Sequence, residues 1–241
     1  MPANLFITSS QFDVLCLQGA DTARFLQGQL TCDLNTLSEP GCIYGAALNT
    51  KGRVITPFLL LKQDDRVLLV FNKGLRALFR AHLEKFLPFY KCQMHNIDNK
   101  DFFIIADQAT LTKLLPDMPA NLAFGNGAQL VTGGLFNIGN LQLSAYLFIA
   151  VPGSSEAPVM AIPEQTGKQE WLVANARAGH FPFSVEDSGL YTPQELNLDQ
   201  HTYISFEKGC YTGQEIVARM HYRSKPKKRL YRIELHTNDQ S

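Results

Sequence analysis

Three apolar runs separated by two short polar turns constrain this chain more than any other feature. Ile43–Leu48 is followed by Asn49-Thr50-Lys51-Gly52, then Val54–Leu61, then Gln63-Asp64-Asp65, then Val67–Phe71. Turn-forming residues between runs of strand length predict an antiparallel meander. A shorter alternating run, Phe12-Asp13-Val14-Leu15-Cys16-Leu17, precedes it and closes at Gly19. Asp21 then stands where an N-cap would, and Ala23, Leu26 and Leu30, with Phe25, mark a short amphipathic helix. Gly74–Phe86 is the clearest helix. Leu75, Leu78, Phe79, His82, Leu83 and Phe86 keep one face, and Pro88 stops it. His82 on that stripe reads as a buried, satisfied core histidine and not as a ligand.

Downstream the pattern changes. Strand-like runs at Phe102–Ala106 and Leu141–Val151 bracket a short helix near Ala109–Leu115 and a glycine-rich stretch from Gly125 to Gly139. That stretch lacks the GxGxxG order between strand and helix, so it reads as loops and not as a phosphate cradle. A helix is expected over Glu164–Ala178, carrying the only tryptophan, Trp171. A long irregular segment follows, His180–His201, with Pro182, Pro193 and the acids Glu186, Asp187 and Glu195. Such a segment inside a compact chain is more often a functional loop than filler. Meanders interspersed with helices, without regular β-α-β alternation, indicate an α+β protein. Leu230–Leu235 alternates like a strand and reads as the start of a further small β-domain, missing or vestigial.

Composition narrows the function classes. Lys and Arg number 22 against 22 Asp and Glu, so no global field draws the chain to nucleic acid or membrane, and any such attraction must be local. The 16 Phe and 8 Tyr can fill a sizeable core. No apolar run is long enough for a bilayer span, and MPANLFITSS lacks the basic and apolar regions of a signal peptide. Cys16, Cys32, Cys42, Cys92 and Cys210 are odd in number and scattered, with no CxxC or CxC pair. That argues against a disulfide framework and against a locally spaced zinc or iron–sulfur site. A cytoplasmic chain with reduced thiols and no membrane partner is expected.

One segment carries chemistry: ISFEKGCYTGQEIVARMHYR, Ile204–Arg223. Ile204, Phe206 and Lys208 alternate toward a strand end. Thr212-Gly213-Gln214-Glu215 has the capping-box spacing, and Ile216, Val217 and Met220 give the following helix an apolar face. Cys210 would thus lie just before a helix N-terminus with Lys208 nearby, and both the dipole and the ammonium favour a thiolate. Gly209 and Gly213 permit a tight turn around it. Two readings stay open: an activated, accessible cysteine, or a small buried residue in a strand-to-helix turn, since free cysteine is usually buried. Downstream, Arg219, Arg223, Lys225, Lys227, Lys228 and Arg229 form a local basic patch with no acid among them, near His221, Tyr222 and Tyr231. It is suited to RNA phosphates or to the glutamate tail of a folate, or is a solvated loop.

The string KGCYTGQE, Lys208–Glu215, resembles the signature of the YgfZ family, folate-binding relatives of the aminomethyltransferase (T-protein) of the glycine cleavage system. GADTARFLQGQLTCDL is similar to that family's N-terminal helix, ALNTKGRVI to its next block, and ARAGHFPF to a degenerate form of the turn before the signature loop. The similarity covers most of residues 5–235. It implies an aminomethyltransferase-like folate-binding fold, with interlocked α+β domains around a central channel and a C-terminal β-barrel largely absent here. Residues 1–100 would form a first α+β folate-binding region and 101–200 a second, interleaved with it. Residues 201–241 would hold the signature loop, its helix and the start of a truncated barrel. The resemblance also implies tetrahydrofolate (or a derivative) as cofactor and a role in assembling or repairing iron–sulfur clusters, including those of tRNA-modifying enzymes. Its partners would be iron–sulfur proteins or their assembly machinery.

Cys210 would then be the important thiol, with Lys208 beside it and Gly209, Tyr211, Gly213, Gln214 and Glu215 forming the loop. A folate pocket needs apolar or aromatic walls, a few polar groups for the pterin edge and a cation for the glutamate tail. Tyr44, Asn49, Lys51, Arg53, Tyr191 and Arg219 are the candidates by matched block and residue type. The aminomethyltransferases carry a pair of aspartates in the strand after their asparagine-glycine turn, where this chain has Val54-Ile55-Thr56-Pro57-Phe58. Threonine or proline cannot replace a proton-handling acid, so aminomethyl transfer is not expected. Two alternatives are kept. One is a folate-dependent one-carbon transferase with a carboxylate from Asp33, Glu186 or Asp187; the other is an RNA-binding module acting through Arg219–Arg232.

Overall fold

The computed structural model describes residues 6–8, 11–97, 102–105, 111–112, 115, 117–119, 121–130, 133–139, 145–150, 168–224 and 226–233. The predicted meander forms most of one sheet. Strands β2 (Phe12–Gln18), β3 (Gly41–Leu48), β4 (Val54–Gln63), β5 (Arg66–Asn72) and β6 (Gln93–Ile97) pair antiparallel in the order β3-β4-β5-β2-β6. Asn49 shapes the turn into β4: its side-chain oxygen accepts from the amides of Lys51 and Arg53, at 2.9 and 3.0 Å. A second antiparallel sheet joins β1 (Phe6–Thr8), β7 (Phe102–Ile105), β8 (Gly127–Leu130), β9 (Gly133–Asn137) and β10 (Tyr146–Ala150) in the order β1-β7-β10-β9-β8. The N-terminal strand β1 thus belongs to the sheet built mainly downstream.

Side chains alternate along a strand, so β2 sends Phe12, Val14 and Cys16 to one face and Leu15 and Leu17 to the other. The first three meet Phe136, Ile138 and Leu147 in a core between the sheets. Leu15, Leu17, Leu60, Leu69 and Phe71 pack instead with Phe25 and Leu26 of α1 (Thr22–Gln27) and Leu75, Phe79 and Leu83 of α2 (Leu75–Glu84). Phe183, Tyr203, Tyr211 and Val217 close the same core. The first sheet is therefore buried on both faces, which is why its strands read as near-continuous apolar runs. Leu111, Leu115, Leu130, Leu135, Tyr146 and Phe148 form a further cluster on the second sheet.

Several local expectations need correction. The glycine-rich stretch contains β8 and β9 and is not all loop. A Cβ on Gly127 would stand 2.8 Å from the Phe136 ring, so the glycine makes room for cross-strand packing. Ile204, Phe206 and Lys208 lie in no strand; the backbone there is irregular and tied to the body by the Ser205 amide donating to the Thr31 carbonyl at 2.9 Å. The capping box is not made. Helix α4 (Gln214–Arg223) starts after Gly213 at a φ of +82°, and the Thr212 hydroxyl donates to Gln29 Oε1 at 3.1 Å. His82 is buried, but its Nε2 has no partner. Burial pushes its pKa down to about 4, so it stays neutral.

Helix α3 (Lys168–Ala178) matches the described part of the helix expected from Glu164, whose first residues and Trp171 side chain lie outside the described residues. Most of Ala109–Leu115 also lies outside them. Leu230 to Ile233 form no strand, and Glu234 and Leu235 are not described. Leu230 is instead held by its amide donating to the Glu195 carbonyl at 3.0 Å and its carbonyl accepting from Asn197 Nδ2 at 2.8 Å.

Candidate functional site

Against the first sheet, α3 and the segment after it enclose a cavity of about 110 Å³, open at one side. Its floor is apolar: Phe12, Pro57, Phe58, Leu59, Val70 and Ile138. Its polar groups come from separate elements, Tyr44 on β3, Asn72 at the end of β5, Asn175 on α3, His180 from the irregular segment and Tyr203 just beyond it. Tyr203 is fixed by its backbone, whose carbonyl accepts from the Thr31 hydroxyl at 2.7 Å. Its phenol shares a hydrogen bond of 2.8 Å with His180 Nδ1. The Tyr44 ring lies 4.9 Å from the His180 ring and 5.0 Å from the Tyr203 ring, and its hydroxyl donates to the Ile138 carbonyl at 2.9 Å.

Burial sets the charge state of this trio. It raises the pKa of both phenols, and it pushes His180 down to about 4, helped by His201. At neutral pH all three are uncharged. The cavity therefore offers aromatic walls and neutral hydrogen-bonding groups, which suit the edge of a flat heterocycle. A closed cavity of roughly 150 Å³ takes a benzene ring. The enclosed space of about 110 Å³ is smaller than that, so only the edge of a bicyclic ring such as a pterin would enter it, with the remainder and the tail in the open mouth. The chain's residues fit the head of a folate in that sense. Among the described lining residues there is neither a carboxylate nor a cation.

Of the six ligand candidates, only Tyr44 lines the cavity. Tyr191 stands behind it, its ring 6.4 Å from that of the lining Phe181. Asn49 shapes its turn, Lys51 is exposed, and Arg53 donates to the Leu190 carbonyl and pairs with Glu195 at 3.2 Å. Arg219 is exposed on α4. The residues missed from the sequence are His180, Tyr203, Asn72 and Asn175. His180 opens the irregular segment singled out as a functional loop, which was the available signal; Asn72 and Asn175 carry none. The acids weighed for a transferase are engaged elsewhere or lie outside the lining. Asp33 accepts from Gln27 Nε2 at 2.8 Å, Asp187 from the Ser184 hydroxyl at 2.8 Å, and Glu186 is exposed. Thr56 is buried with its hydroxyl on the Pro57 carbonyl.

The signature loop is a clamp that presents a thiol. Lys208 turns inward, and its Nζ donates to the carbonyls of Gln27, Leu30 and Cys32 at 2.7, 2.7 and 2.8 Å. These are acceptors left open at and beyond the end of α1. Burial draws the ammonium down to about 8, so it is still charged at neutral pH. The Thr212 amide donates to the Gly28 carbonyl at 3.3 Å, and Gln214 Nε2 reaches the Lys208 carbonyl at 3.5 Å. Gly213 presses against the Asn49 turn, where a Cβ would meet the Asn49 carbonyl oxygen at 2.6 Å. Tyr211 is buried, and burial raises its pKa to about 12; Glu215 is exposed.

Cys210 is exposed, whereas the other four cysteines are buried and all five are free. Cys210 and the open backbone of Gly209 border a shallow hollow with Ala23, Arg24, Gln27, Gly28 and Asn35. That settles the question of accessibility. Arg24, the nearest cation in the hollow, pairs with Asp21 at 3.1 Å. In the basic patch, Arg229 is held bidentately by Asp199 at 2.9 Å for both contacts, whereas Arg219, Arg223, Lys227 and Lys228 are exposed. Lys225 lies outside the described residues. Among those residues, no group of three His, Cys, Asp or Glu could hold a metal ion, and no helix is long and apolar enough to cross a membrane.

The sequence matches no family model. It is 30% identical over 239 residues to the tRNA-modifying protein YgfZ of Colwellia psychrerythraea, covering 96% of this chain and 72% of that protein. The chain belongs to the YgfZ family. The YgfZ proteins of Escherichia coli O17:K52:H18 and Sodalis glossinidius are 28% and 29% identical, each over 93% of this chain and 70% of its relative. Among solved structures, the glycine cleavage system aminomethyltransferase T from Bartonella henselae superposes with a TM-score of 0.66 at 14% identity, over 92% of this chain. This YgfZ chain thus has the aminomethyltransferase fold and spans 64% of the length of that structure; its described residues form no closed barrel.

Proposed function

We propose that this YgfZ-family chain binds tetrahydrofolate or a derivative through the cavity between its first sheet and α3 with the segment after it. In that setting it serves the assembly or repair of iron–sulfur clusters in client proteins, tRNA-modifying enzymes among them, with Cys210 as the working thiol. The observation that carries the reading is the neutral aromatic and amide-lined cavity at Tyr44, His180 and Tyr203. The exposure of Cys210 supports its role, and the free, buried state of the other cysteines suits a reducing cytoplasm. When bound, tetrahydrofolate supplies a pterin that carries one-carbon units. The chain's own residues hold the pterin edge and shield one end of it from water. The lack of a carboxylate in the described lining disfavours aminomethyl transfer.

Titration calorimetry with tetrahydrofolate tests the ligand. Saturable binding that weakens at least tenfold in Tyr203→Phe is expected, because the phenol that orders His180 is gone. Absence of binding up to millimolar ligand would sink the reading. For the thiol, Cys210→Ala is expected to fail in restoring cluster-enzyme activity to cells lacking the protein. Restoration equal to the wild type would refute that role.

A further inference from the structure

Two rings on α4, those of His221 and Tyr222, meet Phe206 of the preceding irregular segment in a group that the cavity does not use. Phe206 and His221 are stacked, with centroids 3.7 Å apart at 20°. Tyr222 stands edge-on to both, at 6.4 and 4.7 Å, and is 69% exposed. Arg219 lies three positions before Tyr222 and hence on the same helix face, and Arg223 follows it. Lys227 and Lys228 continue the basic run, and no carboxylate occurs from residue 216 to 233. Among the described residues, the exposed acids nearest in sequence are Glu207 and Glu215. Arg219, Arg223, Lys227 and Lys228 form no ion pair with a described residue, whereas Arg229 is bound to Asp199.

From this we infer that Phe206, His221 and Tyr222, with Arg219, Arg223, Lys227 and Lys228, form a docking surface for single-stranded RNA. Rings braced against one another give a base a face to stack on without further ordering, and unpaired cations beside them meet its phosphates. A duplex offers no free base faces, and unpaired bases present themselves in the loops and ends of folded RNA, which makes RNA the occupant. The surface stands apart from the cavity and the inference does not rest on folate binding, since none of its residues lines that pocket.

The test is anisotropy of a labelled oligouridylate of about twelve nucleotides titrated with the full chain at several salt concentrations. Four phosphate contacts at about 0.7 counterions each predict a log–log salt slope near −3. Arg219→Glu with Arg223→Glu is expected to halve that slope. Tyr222→Ala is expected to weaken binding roughly tenfold while leaving the slope unchanged, and Tyr222→Phe to restore the affinity. All these side chains are exposed, and unchanged denaturation midpoints would show that the variants fold. No binding at low salt overturns the inference. So do equal affinities of wild type and Tyr222→Ala, and tighter binding of a duplex or of the matching DNA strand.

Discussion

Lys208 is held on the carbonyls of Gln27, Leu30 and Cys32, and burial brings its pKa from 10.5 down to about 8. Below about pH 8 the folded and unfolded chains both carry the proton, and the full burial cost is present. Between about 8 and 10.5 only the unfolded chain keeps it, so this residue makes stability rise with pH. Lys208→Met should remove that rise in urea midpoints. At pH 7 the variant should lose about 2–4 kcal/mol, because three carbonyls are left unpaired. His82 works in the acid range. Its pKa of about 4 lies below the ordinary 6.5, so stability falls as pH drops from 6.5 toward 4, when the unfolded chain takes up the proton first. His82→Leu should flatten that fall and also remove the unpartnered Nε2; urea midpoints at pH 5 and 7.5 check it. The sequence placed His82 on its helix but Lys208 at the end of a strand that the structure does not form. It could not reveal that Lys208 points inward, because its acceptors come from a helix end far away in the chain.

The string around Cys210 was legible as a motif, but its work was not. Three blocks that read separately along the chain, at residues 19–34, 47–55 and 208–215, converge through Lys208, Thr212 and Gly213. The capping-box spacing misled because Gln29 offers Thr212 a partner from another element. Gly213 is where that convergence is tightest: its φ is +82°, and an added Cβ would strike the backbone oxygen of Asn49. A backbone atom cannot rotate away as a side chain can. Gly213→Ala should therefore cost at least about 2 kcal/mol. It should also raise the accessibility of the loop, seen as faster backbone amide exchange at Tyr211 and Thr212. Wild-type exchange and stability would show that the clamp tolerates a side chain. The glycine-rich strands β8 and β9 were illegible for a related reason. Gly127 serves the Phe136 ring across the strands, a relation that no local pattern carries.

The meander and the α+β class follow from periodicity and turn chemistry, and the first sheet is apolar on both faces because it packs against two cores. The cavity arises where that packing stops. It needs β3, β4 and β5, the end of β9, α3 and the irregular segment to meet, so its residues are scattered and only Tyr44 was singled out in advance. A void costs stability, since its walls lose dispersion contacts. Partly filling it therefore separates its cost from its use. Ile138 is 1% exposed and lines the floor, where Phe would project into open space. Ile138→Phe should keep the denaturant midpoint within about 1 kcal/mol, cavity filling offsetting local overpacking. Tetrahydrofolate affinity should meanwhile fall at least tenfold. Equal binding by the filled variant would place the ligand elsewhere, and a large loss of stability would mean that the walls are already at their packing limit.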